Sequence, residues 1–167
     1  RRFWWRRFRR LVPALMVVVV ATAAVARWRL PAYRLADVRG DALAALAYVA
    51  NWRFIVDGQS YFTSDTPSLL RHTWSLAVEE QFYVVWPLVV IGALALGGWW
   101  TKRRGRRPTA ATAVAALAAV VAAIAVASGV GMALLFDPDA PTRTYFGTDT
   151  RALTLCAGAL AACALPA

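Results

Sequence analysis

Four apolar runs, at residues 11–26, 82–100, 109–136 and 152–165, alternate with charged stretches along the 167-residue chain. A helix crossing a bilayer core needs about 20 apolar residues, with a range of about 17–25, so the second and third runs suffice as they stand. The first covers about 24 Å at 1.5 Å per residue and must borrow a turn from Phe8 or Trp28. The pattern therefore predicts spans at 11–26, 74–100, 109–136 and 151–167, the last cut short by the end of the chain. Segments 1–10, 27–73, 101–108 and 137–150 connect them. Within 27–73, residues 42–56 are apolar but too short to span, and Asn51 and Arg53 make them too polar. An interfacial or re-entrant helix is expected there. Asp57-Gly58 and Thr63-Ser64-Asp65-Thr66-Pro67 supply turn chemistry, Pro67 disfavours helix just before it, and a new helix should begin near Thr73. The predicted class is an all-α integral membrane protein, a multispanning helical bundle with one long external segment.

Composition supports lipid as the solvent, because 60% of the residues are hydrophobic against roughly 45–50% in an ordinary soluble domain. The net charge of +10 suits either nucleic acid or the cytoplasmic face of a membrane, and position decides between them. Arg1, Arg2, Arg6, Arg7, Arg9 and Arg10 precede the first run, and Lys102, Arg103, Arg104, Arg106 and Arg107 separate the second from the third. Eleven of the nineteen basic residues lie in these two stretches. The positive-inside rule makes both cytoplasmic, consistently with the two spans between them, and no nucleic-acid partner is expected. The localisation implied is the plasma or inner membrane, multi-pass. No signal-peptide cleavage site follows residues 11–26. The chain opens on Arg1 without an initiator Met and ends in an apolar run, which suggests a piece of something longer. Cys156 and Cys163 share one apolar run, about 10.5 Å apart along a helix and beyond disulfide reach, so they read as packing residues.

The densest polar and aromatic stretch runs from His72 through Tyr83 into the second predicted span. At helical spacing His72, Ser75, Glu79, Tyr83 and Trp86 share a face, and polar groups entering lipid must meet a partner or a water-filled cavity. Glu79 and Glu80 also suit a helix N-terminus on electrostatic grounds alone, and Thr73 or Ser75 could cap that helix. A serine hydrolase is disfavoured because His72 and Ser75 lack the nucleophile-elbow glycines, and a lone His with two acids is not a usual metal set, so no metal is expected.

Three blocks, Phe3 to Pro13 with its arginines, His72 to Pro87 (HTWSLAVEEQFYVVWP), and Arg143 to Ala152, resemble in order and spacing the acyltransferase 3 family of membrane proteins. The resemblance implies an all-helical membrane enzyme that moves an acyl group, often acetyl from coenzyme A, to a hydroxyl of an envelope carbohydrate or a small molecule. It casts Arg6, Arg7, Arg9 and Arg10 as contacts for the phosphates of an acyl-CoA donor, where a guanidinium fork suits the ligand, although positive-inside anchoring explains them equally well. His72, Ser75, Glu79, Glu80, Gln81 and Tyr83 are carried over as acceptor-side residues that shape the site or lock the fold. Asp149 and Arg151 are carried over with them, or as an ion pair orienting the next span. The family's catalytic His belongs to a helix upstream of this sequence, so no catalytic residue is assigned here and the chain alone is expected to be inactive. No permanently bound cofactor is implied; the partners expected are the bilayer, the acyl donor and the acceptor. A multispanning transporter, or a non-catalytic membrane subunit handling envelope carbohydrate, is the competing reading.

Overall fold

The computed structural model describes residues 2–59 and 67–165. Among these every regular element is helical: α1 (Arg2–Arg29), α2 (Ala32–Leu46), α3 (Ala50–Val56), α4 (Thr73–Arg103), α5 (Ala110–Leu135), α6 (Thr142–Phe146) and α7 (Thr148–Ala164). Three of them, α1, α4 and α5, are long and apolar enough to cross a membrane. The fourth expected span corresponds to α7, of 17 residues. The chain divides into two compact units, residues 1–77 and 78–167, with the division falling inside α4.

In the first unit α1 begins at Arg2, so the arginine stretch expected as a connecting segment is continuous with the apolar helix behind it. Nothing in its sequence stops helix, since arginine is among the better helix formers. Pro13 lies inside α1. α1 packs on α2 and α2 on α3. The single helix expected at 42–56 is two helices. Tyr48 adopts a left-handed φ of 55°, and the amides of Tyr48 and Val49 donate to the carbonyls of Ala45 and Ala44. That pair of bonds is the Schellman arrangement that closes a helix, here without the glycine it usually employs. α3 ends the same way with glycine in place: Gly58 has a φ of 63°, and Gly58 and Gln59 donate to Ile55 and Phe54. The turn expected at Asp57-Gly58 is therefore this helix stop, while 63–66 lie outside the described residues. α3 buries Ala50, Asn51 and Phe54, so Asn51, one of the two residues that make the segment too polar to span, faces inward.

The core of the second unit is Val121 and Ala125 of α5 against Cys156 of α7, with Phe82 and Trp86 of α4 packed over them. Phe82 and Trp86 stack at 5.2 Å between ring centroids. Cys156 is buried and, like Cys163, free, in keeping with a packing role. Small residues permit the close approach of the long helices: a Cβ at Gly97 would stand 2.6 Å from the Ala116 Cβ. Ser128 ties α5 to α7 through polar contacts, its hydroxyl accepting from the Leu153 amide at 2.9 Å and donating to the Asp149 carbonyl. Those are the donor and acceptor of one turn of α7, so a single side chain is inserted beside its ladder. Thr109 starts α5 as an N-cap, in a reciprocal capping box with Thr112.

Candidate functional site

α4 carries the stretch singled out in the sequence, and it begins at Thr73 as expected. His72 lies just before the helix and is exposed, as is Ser75. The Ser75 hydroxyl donates to the His72 carbonyl at 3.3 Å and the Thr73 hydroxyl to the Leu70 carbonyl at 2.7 Å. Both hydroxyls thus address the carbonyls of the turn before the helix, where a cap would receive an amide of the first helical turn. Of the paired acids Glu80 is the buried one and Glu79 only half-buried, with Ala77 and Val78 buried beside them. The inward side of α4 at this level is therefore rotated by one position from the His72, Ser75, Glu79, Tyr83 stripe. Tyr83 is half-buried, edge-on to Phe82.

Gln81 meets the third sequence block. Its amide oxygen accepts from the Thr148 hydroxyl at 2.6 Å, joining α4 to the start of α7. An Asp149–Arg151 ion pair, one of the two readings of these residues, is not among the ion pairs of the described residues. Asp149 binds Arg143 instead, in a bidentate fork of 2.9 and 2.7 Å. Arg151 donates from Nε to the Tyr145 carbonyl at 2.8 Å and lies 4.6 Å over the Tyr145 ring. The exchange follows from helix geometry: α6 ends at Phe146 and turns at Gly147, which brings Arg143 back over the first turn of α7, whereas residues two apart on one helix point in different directions. A Cβ at Gly147 would collide with the Arg143 guanidinium and stand 2.7 Å from the Asp149 carboxylate. The Arg143 hydrogen bonds hold the Asp149 carboxyl below its usual range, against a smaller opposing effect of burial. Thr150 completes the turn, donating at 2.9 Å to the carbonyls of both Thr144 and Gly147.

Arg6, Arg9 and Arg10 are exposed along the first turns of α1 and Arg7 is half-buried. Aromatic rings accompany them, with Trp5 stacked on Phe8 at 5.9 Å. The other basic stretch has the same composition. Arg103 sits 4.1 Å over the Trp99 ring and Arg104 4.7 Å over Trp100, an arrangement suited to a membrane–water interface.

A polar cluster in the first unit was not singled out by the sequence reading. Asp41 of α2 is 3% exposed, yet both of its oxygens are occupied: Arg53 Nε of α3 donates at 2.7 Å and the Ser68 hydroxyl at 2.6 Å. A second arm of the same guanidinium reaches Asp57 at 3.2 Å. Hydrogen bonding to Asp41, more than the burial that opposes it, raises the Arg53 guanidinium above its ordinary pKa. Gly40 leaves room for it, because a Cβ there would stand 2.6 Å from Arg53 Cζ. The signal was present in the pattern. Val38, Asp41 and Ala45 form the buried stripe of α2, and an acid inside an apolar stripe calls for a partner.

Described residues that are helical in every regular element, with three helices of membrane length, define a class, the multispanning membrane protein. The relatives narrow it. Over 160 residues the chain is 39% identical to peptidoglycan O-acetyltransferase OatA of Listeria monocytogenes, covering 95% of this chain and 23% of the relative. Over 170 residues it is 40% identical to the putative peptidoglycan O-acetyltransferase YrhL of Bacillus subtilis, covering 99% and 24%. A putative O-acetyltransferase of Staphylococcus aureus is 33% identical over 162 residues, covering 96% and 24%. The chain thus spans about a quarter of the length of these curated relatives. No family model and no solved structure matches it.

Proposed function

We propose that this chain is a membrane part of an O-acyltransferase, in the acyltransferase 3 manner, that moves an acetyl group from a donor such as acetyl-CoA to a hydroxyl of an envelope carbohydrate. The observation that carries the reading is similarity along nearly the whole chain to proteins named peptidoglycan O-acetyltransferases. Three membrane-length helices fit it. In such a transfer the acceptor oxygen bonds to the thioester carbonyl carbon, the carbon–sulfur bond breaks, and the hydroxyl proton passes through a base to the departing thiolate. A base must stand about 2.6–3.2 Å from that hydroxyl, or one water away. On this reading Arg6, Arg7, Arg9 and Arg10 attract the polyphosphate of the donor on the cytoplasmic side, and the residues from His72 to Tyr83 serve the acceptor on the other. The plasma membrane is its place.

The test is acetyl transfer in cells expressing the protein within its full-length polypeptide. Labelled acetyl should appear as an alkali-labile ester on peptidoglycan, and Arg7→Ala or Arg10→Ala should lower the yield at limiting donor while membrane insertion is unchanged. Absence of ester on any envelope polymer, with the protein inserted, would reject the reading.

A further inference from the structure

The first unit holds a cavity of about 690 Å³ whose walls come from α2, α3 and residues 67–69, within the roughly 300–1,000 Å³ of small-molecule sites. Its charged lining is Arg34, Asp37, Asp41, Arg53 and Asp57, and Gln59 and Ser68 add neutral polar groups. Two guanidiniums against three carboxylates leave the wall net negative, which opposes a polyphosphate such as coenzyme A and any carboxylate ligand. Donors alternating with acceptors suit a hydroxyl, which does both.

The members differ in how firmly they are held. Asp41 and Arg53 are fixed by each other and by Ser68 and Asp57, so they form a rigid floor. Asp37 is loose, its side chain 64% exposed and 4.0 Å from Arg34 Nε. Gln59 Oε1 is buried and has no hydrogen-bond partner among the described residues. An acceptor left in that state costs about 1–3 kcal/mol, which a donor from a ligand would recover. Tyr33, also on the lining, is exposed, and an aromatic face at a polar site offers an apolar platform to the C–H face of a sugar ring.

We propose that this cavity is a binding subsite for a neutral sugar unit, with Gln59 and Asp37 taking its hydroxyls, Tyr33 stacking on its ring and the Asp41–Arg53 pair holding the floor in shape. The inference deepens the reading above, since the unit bound would belong to the carbohydrate acceptor. The probe is N,N′-diacetylchitobiose, an uncharged disaccharide, added to the full-length protein in lipid nanodiscs and followed by saturation-transfer NMR. Binding should weaken at least fivefold in Gln59→Leu and in Tyr33→Ala, with thermal unfolding of both unchanged or, for Gln59→Leu, shifted upward. Equimolar coenzyme A should not displace the sugar. Disaccharide binding that is absent, unaltered in both variants, or abolished by coenzyme A would overturn the subsite. Measuring acetyl transfer in the same preparations separates the two ideas: transfer with cavity-independent binding sinks the subsite alone, and cavity-dependent binding without transfer sinks the acyltransferase reading alone.

Discussion

At the scale of single residues, two ion pairs organise the polar chemistry, Asp41–Arg53 with a buried carboxylate and Arg143–Asp149 with an exposed one, and each makes a distinct prediction. Removing the carboxylate in Asp41→Ala leaves the Arg53 guanidinium half satisfied and the Ser68 hydroxyl without its acceptor. Breaking a buried pair costs about 3–5 kcal/mol, and the lower end applies because the Arg53 side chain is 31% exposed. Chemical denaturation in micelles should show it, with Ser68→Ala about half as damaging or less. For Asp149 the sign is set by its depressed pKa. Its contribution is complete above the ordinary aspartate value of about 3.9 and is lost as pH falls through the lower native value. Parent and Asp149→Asn should therefore differ in thermal stability at neutral pH and converge in acid. A constant difference across the range would remove Arg143 as the cause. The first of these pairs was legible in the sequence only as an acid in an apolar stripe. The second was not legible, because linear spacing, which offers Arg151 as one partner for Asp149, does not reveal the turn at Gly147 that folds Arg143 over α7.

Among the elements, length and apolarity foretold membrane-length helices over the first three apolar runs, now within α1, α4 and α5, since lipid demands long apolar runs and little else imitates them. The break at Tyr48 was hidden for the opposite reason. A left-handed tyrosine costs about 1–2 kcal/mol and carries no sequence signature, so only packing around α2 and α3 can impose it. α6 is a single short turn that periodicity cannot resolve. The α5–α7 pair yields the next prediction: Ser128→Ala deletes the hydroxyl that accepts from Leu153 and donates to Asp149. Interhelical hydrogen bonds in membranes average about 0.6 kcal/mol, so the loss should be modest by unfolding in mixed micelles. Gly97→Leu, whose side chain would invade the space of Ala116, should cost more than Ser128→Ala. A reversed order would mean that polar contacts outweigh close packing here.

For the molecule as a whole, charge sets the sidedness. Residues between α4 and α5 should face the cytoplasm, and those between α5 and α6 the exterior. Labelling of Arg106→Cys and Asp139→Cys with an impermeant thiol reagent in intact cells tests this, with reaction expected only at position 139. Gly105, in the same connection, is unsuited to the experiment because its φ of 64° disfavours any side chain. α4 then serves as a depth gauge. Its 31 residues measure about 46 Å, against a hydrocarbon thickness of about 30 Å. With Trp99 and Trp100, under their arginines, marking one boundary of the oil, about twenty residues of helix reach the other boundary at Glu79 and Glu80. On that scale the turn before them would stand in water and this carboxylate pair would lie at the waterline, the level at which a soluble ligand meets the oil.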